Sequence, residues 1–305
     1  MCERQNYSKL EQLYKQNLIL SEEKKCNNKY SFIRRNARVF YDIMTPGMRN
    51  LINPFFSVWS NKKVENINLS LVNEIRKEDF VYLTNPLFLE TVFLPRLGFN
   101  NEHIYQFPDV LHKYCGRGLK HWQYPNQFSK YLVFLSKLNI KSYLEIGVRW
   151  GGTFIITVEY LNRFNKIKKA VGIDIIDCPP GLKKYQKMNP VASYHKLNTQ
   201  SEQFKRFMKN DETSFDLALI DGNHTKNGVV NDFLNLRKKV KILAFHDIAS
   251  DACYGVRDAW QQIKKKYHDQ YTFIEFKQQY NEIKNVTKMN YLGIGLMIKK
   301  GRLKW

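Results

Sequence analysis

From residue 125 onward, short apolar segments of strand character alternate with amphipathic segments of helical period. Strands that alternate with helices in this way form βαβ units, whose parallel strands are covered by helices on both faces. The alternation therefore predicts an α/β fold with a mostly parallel, seven-stranded sheet. The predicted strands are residues 142–146, 170–175, 194–197, 215–220, 242–245, 271–276 and 292–298, and the predicted helices are residues 128–138, 153–164, 203–209, 229–238 and 256–267.

The first part of the chain lacks this regular pattern. We therefore predict a mainly helical N-terminal region at residues 1–120 and a separate α/β domain at residues 121–305. The most apolar stretch, residues 80–99, is interrupted by charged residues and prolines and is too polar to span a bilayer. The five cysteines form no CxxC pair, so their spacing predicts neither a disulfide framework nor a zinc site, and reduced thiols favour a cytoplasmic protein.

The formal net charge of the chain is +21. A field of this sign attracts anions such as nucleic acid, acidic glycans or phosphorylated molecules. However, the charge is spread along the chain, and the accompanying abundance of Lys, Asn, Ile and Tyr is also typical of an AT-rich genome. The charge therefore fits either an anionic partner or a composition effect, and it does not choose between them.

The first predicted strand leads into a turn that contains Glu145, Gly147, Arg149, Gly151 and Gly152, and a predicted helix follows directly. Glycine permits a positive φ and a close approach of the backbone to a ligand. The helix start adds free N–H groups that suit a carboxylate or a phosphate. The spacing differs from the GxGxxG of nicotinamide-dependent enzymes, so it disfavours an oxidoreductase. A tight strand–helix turn without a ligand is the structural alternative.

Polar residues also follow the second and third predicted strands. Asp174 ends the second strand, where a carboxylate can accept hydrogen bonds from both hydroxyls of a ribose. Asn198 and Ser201 follow the third strand, and in the Rossmann-like folds that this pattern resembles, that position contacts an adenine base. These positions predict a nucleotide-like ligand at the carboxyl ends of the strands, although a solvated carboxylate is the alternative for Asp174.

Two pairs of polar residues follow the next two strands: Asp221 and His224 after the fourth, and His246 and Asp247 after the fifth. Adjacent strand ends place all four within reach of one pocket. A carboxylate at such a position must be solvated, paired or bound to a metal, and a carboxylate pair with water suits a divalent cation such as Mg²⁺. The structural alternative is that His224 caps the next helix while His246 and Asp247 brace a loop.

Taken together, these motifs resemble those of class I S-adenosylmethionine-dependent methyltransferases, which have a Rossmann-like fold. The resemblance covers roughly residues 122–298 and implies that the turn around Gly147, Arg149 and Gly151 holds the methionine end of S-adenosylmethionine. It also implies that Glu145 contacts the cofactor's amino group and that Asp174 contacts its ribose. The domain at residues 121–305 would accordingly be the methyltransferase domain.

Within this class, the DGxH pattern resembles metal-dependent sugar O-methyltransferases and cephalosporin-hydroxylase-like proteins. That branch implies Asp221 and Asp247 as metal ligands and His224, with Asp221, as the catalytic pair in which His224 is the general base. His246 stands where the sugar methyltransferases carry an acidic residue. We predict His246 as a third ligand of the metal, which would be Mg²⁺ or, since imidazole favours it, Mn²⁺. The alternative is that His246 does not coordinate the metal.

The expected function is O-methylation of a sugar or another polyhydroxylated small molecule, such as an anionic glycan. Two alternatives stay open. One is a nucleic-acid methyltransferase, which the sequence disfavours because it lacks an Asn-Pro-Pro-Tyr base-flipping motif. The other is a non-catalytic, Rossmann-like binding scaffold that supports the N-terminal region. Trp122 and Gln123, which precede the domain, are further candidates for ligand contact, with a packed domain junction as the alternative.

Overall fold

The computed structural model describes residues 67–209 and 214–301. The helix predicted at residues 7–20 lies outside these ranges. Within these ranges, no helix is both long and apolar enough to span a membrane.

The described part of the N-terminal region consists of short helical segments. These are α1 (Leu71–Lys77), α2 (Phe80–Leu83), α3 (Pro86–Phe88) and α4 (Leu94–Leu97), with a π-helical turn at Leu89–Phe93 and 3₁₀ turns at Ile104–Gln106 and Asp109–Tyr114. Asp79 and Asn85 begin α2 and α3, because their side-chain oxygens accept hydrogen bonds from the first helical N–H groups. The prediction of a mainly helical region is confirmed for the residues described here.

The rest of the chain forms one seven-stranded sheet with the order β3-β2-β1-β4-β5-β7-β6. The strands are β1 (Ser142–Ile146), β2 (Lys169–Asp174), β3 (Ala192–Lys196), β4 (Phe215–Ile220), β5 (Val240–Phe245), β6 (Tyr271–Phe276) and β7 (Ile294–Lys299). The helices are α5 (Pro125–Ser136), α6 (Gly152–Phe164), α7 (Pro180–Met188), α8 (Glu202–Lys209), α9 (Lys226–Leu236), α10 (Tyr254–Tyr267) and α11 (Asn281–Thr287). Strands β1 to β5 pair in parallel, and β7 runs antiparallel to both β5 and β6. The predicted Rossmann-like, mostly parallel sheet is confirmed.

Successive side chains of each strand point to opposite faces of the sheet, and both faces are buried. Tyr143 and Leu217 pack on the face that α5, α6 and α7 cover. Their neighbours Leu144 and Ala218 pack on the other face, against α8, α9 and α10. This double burial explains why the strands read as nearly continuous apolar runs rather than as alternating ones.

The order of the strands reverses between β1 and β4, which are neighbours in the sheet. From β1 the chain proceeds outward to β2 and β3, whereas from β4 it proceeds to β5 on the opposite side. The loops that leave β1 and β4 therefore diverge and open a crevice at the carboxyl ends of the strands, where ligands bind in sheets of this type.

The described N-terminal segments pack onto this domain. Arg76 of α1 makes two hydrogen bonds of 2.8 Å to the carboxylate of Glu159 on α6, and Tyr185 and Asn189 also donate to that carboxylate. Buried residues of α1 to α4 belong to the same apolar core as α5 and α6. The domain boundary at residue 120 stays a prediction, but the two regions share a core on one face of the sheet.

Candidate functional site

The turn after β1 is shaped by a close contact with the turn after β4. Gly147 has a φ of +86°, and a Cβ atom there would lie 1.9 Å from the backbone oxygen of Asp221. Glycine is thus required at this position by the crossing of two backbones, whatever ligand binds. Gly151, at φ +93°, precedes α6 without a side-chain cap, so the first N–H groups of α6 are not occupied by a capping side chain.

Gly152 and Arg149 have local structural roles in the same turn. A Cβ atom on Gly152 would lie 2.4 Å from the backbone oxygen of Leu119, so the segment before α5 packs directly on the start of α6. Arg149 has a φ of +48°, and its N–H donates to a carboxylate oxygen of Asp174 at 2.8 Å. The guanidinium of Arg149 pairs with Glu102 at 2.7 Å, which links the turn to the N-terminal region.

Glu145 is buried on β1, directly behind the turn, with 2% of its surface exposed. The hydroxyl of Tyr143 donates to its carboxylate at 2.5 Å. Burial raises the pKa of Glu145 well above its usual range, and the nearby Asp221 carboxylate adds to this increase. A buried carboxyl beside another carboxylate is a favourable partner for a bound ammonium group.

Asp174 lies at the carboxyl end of β2, partly exposed. One of its oxygens accepts from the Arg149 N–H, and the other accepts from the N–H of Ile175 at 2.7 Å. Because each carboxylate oxygen has a second lone pair, these bonds hold the side chain in place and leave it able to accept further hydrogen bonds.

Asn198 and Ser201, in the turn after β3, bond within their own loop. The side-chain oxygen of Asn198 accepts from the N–H of Gln200 at 2.9 Å. The hydroxyl of Ser201 donates to the backbone oxygen of Asn198 at 2.6 Å and accepts from the N–H of Phe204 at 3.2 Å, at the start of α8. The structure therefore places both at the predicted edge of the sheet, with their side chains engaged in shaping the turn.

The four polar residues after β4 and β5 form one cluster. An oxygen of Asp221 lies 3.1 Å from Nδ1 of His246 and 3.3 Å from Nε2 of His224. An oxygen of Asp247 lies 3.5 Å from Nδ1 of His246 and 3.8 Å from Nε2 of His224. The predicted metal ligands Asp221, His246 and Asp247 present ligand atoms that all lie within 4.8 Å of one another.

Opposite charges hold this cluster together. Burial alone would lower the pKa of His246, but the carboxylates of Asp221 and Asp247 outweigh it and raise this pKa to about 10. The pKa of Asp247 is correspondingly low despite its burial, since His246 and His224 stabilise the charged carboxylate. Within the described part of the chain, Nε2 of His246 has no hydrogen-bond partner although it is buried. The two carboxylates are therefore balanced by imidazolium charge, a role that a bound cation could take over.

His224 does not cap α9. Thr225 is the N-cap, because its hydroxyl accepts from the N–H of Gly228 at 3.1 Å. The imidazole of His224 is instead aimed at Asp221, with 44% of its side chain exposed. The ring of His224 is thus partly accessible, and the capping alternative for this residue is wrong.

Sequence reasoning missed Cys253, which follows β5 and directly precedes α10. Its Sγ lies 3.5 Å from Nδ1 of His224. The sequence could have indicated Cys253, because it lies in the loop that follows His246 and Asp247 and that loop must run beside the cluster. Trp122 bonds to Gln106 at 3.3 Å and stacks on His103, so its contacts are those of a packed junction.

Residues 144–248 match a protein family described as a methyltransferase domain. The matched range is about a third of the chain and runs from β1 past the end of β5. It contains all the predicted cofactor, metal and catalytic residues. No curated protein matches the chain.

Several solved structures have a related backbone. The O-methyltransferase TomG from Streptomyces achromogenes, involved in tomaymycin synthesis, has a TM-score of 0.41 and 14% identity over 56% of this chain and 78% of TomG. An O-methyltransferase from Bacillus cereus, in complex with SAH, has a TM-score of 0.43 and 11% identity over 75% of this chain and 96% of that chain. MycE methyltransferase from the mycinamycin biosynthetic pathway, in complex with Mg, SAH and mycinamycin VI, has a TM-score of 0.40 and 16% identity over 61% of this chain and 52% of MycE.

The family match covers the strands and turns on which the sequence motifs lie. The sheet order provides a crevice at the carboxyl ends of β1 and β4, and the glycine turn and Asp174 stand at its rim. The motifs and the strand order agree with this match, which makes residues 144–248 similar to a methyltransferase domain.

Proposed function

We propose that the protein transfers the methyl group of S-adenosylmethionine to a hydroxyl oxygen of a sugar or another polyhydroxylated small molecule, assisted by a divalent metal ion. The observation that carries this proposal is the convergence of Asp221, His224, His246 and Asp247 in one cluster beside the glycine turn. A fold that needed these residues for packing alone would not gather two carboxylates and two imidazoles at a crevice.

The residues around the first two strands would hold the cofactor, which supplies the electrophilic methyl group. The uncapped N–H groups at the start of α6, after Gly151, suit the methionine carboxylate. Glu145 suits the amino group and Asp174 suits the ribose hydroxyls. Asn198 and Ser201 would border the adenine through the turn that they shape.

Asp221, His246 and Asp247 fit a divalent cation, because two carboxylate oxygens and one imidazole nitrogen already lie within 4.8 Å of one another. A cation held by these residues would polarise the acceptor oxygens and lower the pKa of the hydroxyl to be methylated. The imidazole in the donor set favours Mn²⁺ over Mg²⁺.

His224 would accept the proton of the acceptor hydroxyl, and Asp221 would orient its imidazole. Without a cation, burial would lower the pKa of His224, but the hydrogen bonds with Asp221 and Cys253 and the charge of Asp247 together outweigh it and raise this pKa well above its usual range. Once the charges of Asp221 and Asp247 are offset by a bound cation, their part of this increase is removed and the neutral imidazole can accept a proton. The ring is partly exposed, so an acceptor could reach it.

The first test is calorimetric titration of the metal-stripped protein with S-adenosylmethionine and S-adenosylhomocysteine, repeated with Mg²⁺ and Mn²⁺. We expect micromolar binding, followed by methyl transfer to sugars that carry adjacent hydroxyls when a metal is present. Cofactor binding without transfer to any acceptor would favour the scaffold alternative. Absence of cofactor binding under every condition would overturn the proposal.

The net charge of +21 supports one further candidate, methylation of nucleic acid. The affinity of such an enzyme for RNA or DNA should fall steeply as salt rises, because each neutralised phosphate releases a counterion. We expect no such steep dependence for the small-molecule acceptor. Methyl transfer to RNA or DNA, with a steep loss of binding between low and physiological salt, would favour this candidate instead.

A further inference from the structure

Cys253 extends the cluster at the ends of β4 and β5 on the side of α10. Its Sγ lies 3.5 Å from Nδ1 of His224, and His224, Asp247 and Cys253 present ligand atoms that all lie within 4.8 Å of one another. This second set shares Asp247 with the set formed by Asp221, His246 and Asp247. The chain therefore offers two overlapping sets of ligand atoms that differ in chemistry.

The fold fixes this position of Cys253. A Cβ atom on Gly255 would lie 2.6 Å from the backbone oxygen of His224 and 2.8 Å from the backbone nitrogen of Lys226, so the first turn of α10 is pressed against the loop that carries His224. Cys253 directly precedes α10 and is half-buried beside that loop. Backbone packing therefore holds the residue that carries the thiol beside the loop that carries the imidazole.

The two sets of ligand atoms suit different ions. Carboxylate and water oxygens suit Mg²⁺ and Mn²⁺, which avoid sulfur. A thiolate together with an imidazole and a carboxylate suits thiophilic ions such as Zn²⁺ and Co²⁺, which bind all three groups. A single ion cannot bind all the ligand atoms of both sets. Asp247 belongs to both, so an ion at one position would pull its carboxylate away from the other position.

We propose that His224, Asp247 and Cys253 form a second metal position that selects thiophilic divalent ions, and that its occupation inhibits methyl transfer. The inhibition follows from the proposed function, in which His224 accepts the acceptor's proton. A His224 nitrogen that coordinates an ion is no longer available for that proton. Asp247 would also be withdrawn from the position that holds the assisting metal.

Cobalt is the probe that reads the thiolate directly, because a thiolate bound to Co²⁺ absorbs in the near ultraviolet through charge transfer. The full-length, metal-stripped protein is titrated with Co²⁺ as the wild type, as Cys253→Ser and as Cys178→Ser. Cys178 is the matched control, since it is also half-buried but contacts Gln186 on α7, away from the cluster. We expect the charge-transfer band in the wild type and in Cys178→Ser, and its loss in Cys253→Ser.

A band that persists in Cys253→Ser, or that is absent from the wild type, would overturn the proposal. Thermal melting of the three proteins without metal separates loss of the ligand from loss of the fold. Excess Mg²⁺ should raise the Co²⁺ concentration needed for the band, because the two positions share Asp247, but saturating Co²⁺ should restore the band, since Mg²⁺ does not bind sulfur.

Zinc then tests the inhibition. We expect Zn²⁺ to inhibit transfer by the wild type, and Cys253→Ser to require at least about tenfold more Zn²⁺, since even the loss of a group that supports a metal ligand costs that much affinity. Equal sensitivity of both proteins would overturn the inhibitory role. The cobalt spectrum tests the second metal position without a methyl acceptor. The proposed function is tested separately by cofactor titration, so failure of one can be distinguished from failure of the other.

Discussion

The turns on the two sides of the crevice satisfy their polar groups differently. After β2 and β3, Asp174, Asn198 and Ser201 bond mainly to backbone groups of nearby turns. After β4 and β5, the polar side chains bond to one another across two loops and share their charges, as Asp221 does with His224 and His246.

This difference indicates on which side the polar side chains are held in place by the protein backbone without a ligand. Hydrogen bonds to the backbone keep the side chains after β2 and β3 in place without a ligand, and at the proposed cofactor site this would lower the cost of ordering on binding. The β4–β5 side depends on a balance between two carboxylates and two imidazoles, and that balance changes when a cation or a proton arrives. Substitutions on one side should therefore affect cofactor binding, and those on the other side should affect transfer.

The largest effect is expected at His224. His224→Ala should lower kcat by roughly 10²–10⁴-fold, the usual contribution of a positioned general base, while the affinity for S-adenosylmethionine stays unchanged. Steady-state kinetics with an identified acceptor and calorimetry with the cofactor measure the two effects. His268→Ala, a change at an exposed histidine away from the cluster, is the matched control and should leave both unchanged. Full activity of His224→Ala would disprove the assigned role.

Gly147→Ala should damage both sides together, because this residue lies where the two turns cross. The added methyl group would meet the backbone oxygen of Asp221 at 1.9 Å, and φ is +86°. We expect a loss of about 3 kcal/mol or more in the free energy of unfolding, measured by denaturant titration. Gly301→Ala is the control, since Gly301 has a φ of +79° but no atoms within 4 Å of the added group. If the two variants lost equal stability, backbone strain alone would explain the glycine.

Asp174→Asn should weaken cofactor binding and leave the cluster on the other side intact. The loss of a charged acceptor for the ribose hydroxyls costs about 1.5–3 kcal/mol, which corresponds to roughly 10- to 100-fold in affinity. Calorimetry measures this change. Asp177→Asn, at a nearby exposed carboxylate paired with Lys196, should have no effect on affinity. Equal affinities for wild type and Asp174→Asn would remove Asp174 from the cofactor site.

The smallest effect is expected far from the crevice, at Glu275 on β6. Burial would raise the pKa of Glu275, but hydrogen bonds from Lys264, Lys277 and Trp260 lower it to about 2. Because this pKa is below the unfolded value of 4.5, the stabilisation is present above that pH and is lost as pH falls towards about 2. Glu275→Gln should therefore lower the Tm at neutral pH, by an amount equivalent to about 1 kcal/mol or less.

In Glu275→Gln the difference in Tm from the wild type should shrink as the pH falls, and cofactor binding should be unchanged. Thermal melts across the acidic range measure the first effect. A difference in Tm that is independent of pH would show that packing, and not the charge of Glu275, accounts for the stabilisation.

Much of the fold could be predicted from the sequence because buried parallel strands leave long apolar runs. Strands β1, β4 and β6 have the predicted bounds, and β2, β3, β5 and β7 differ from prediction by one to two residues at an end. Helices α7 and α11 escaped prediction because each is short and buries few side chains. A periodic apolar stripe cannot be recognised over so few residues.

The candidate site was predictable where it depends on strand ends and unpredictable where it depends on contacts between loops. Asp221 and His246 follow adjacent strands, so the strand order brings them together. The approach of Cys253 to His224 depends on the packing of α10 against a distant loop, which leaves no spacing in the sequence. The backbone contact between Gly147 and Asp221 could not be predicted either. The sequence motifs assign each of these residues to ligand binding, and nothing in them indicates that the two backbones cross.

Asp247 has a φ of +60°, which few residues other than glycine, asparagine and aspartate adopt readily. The backbone at this position therefore limits which replacements can be interpreted. Alanine or glutamate would change the path of the loop as well as the charge, whereas asparagine keeps both the shape and the conformational preference. The practical range at residue 247 is therefore a choice between two side chains, aspartate and asparagine, and any new chemistry at this cluster would have to enter through its neighbours.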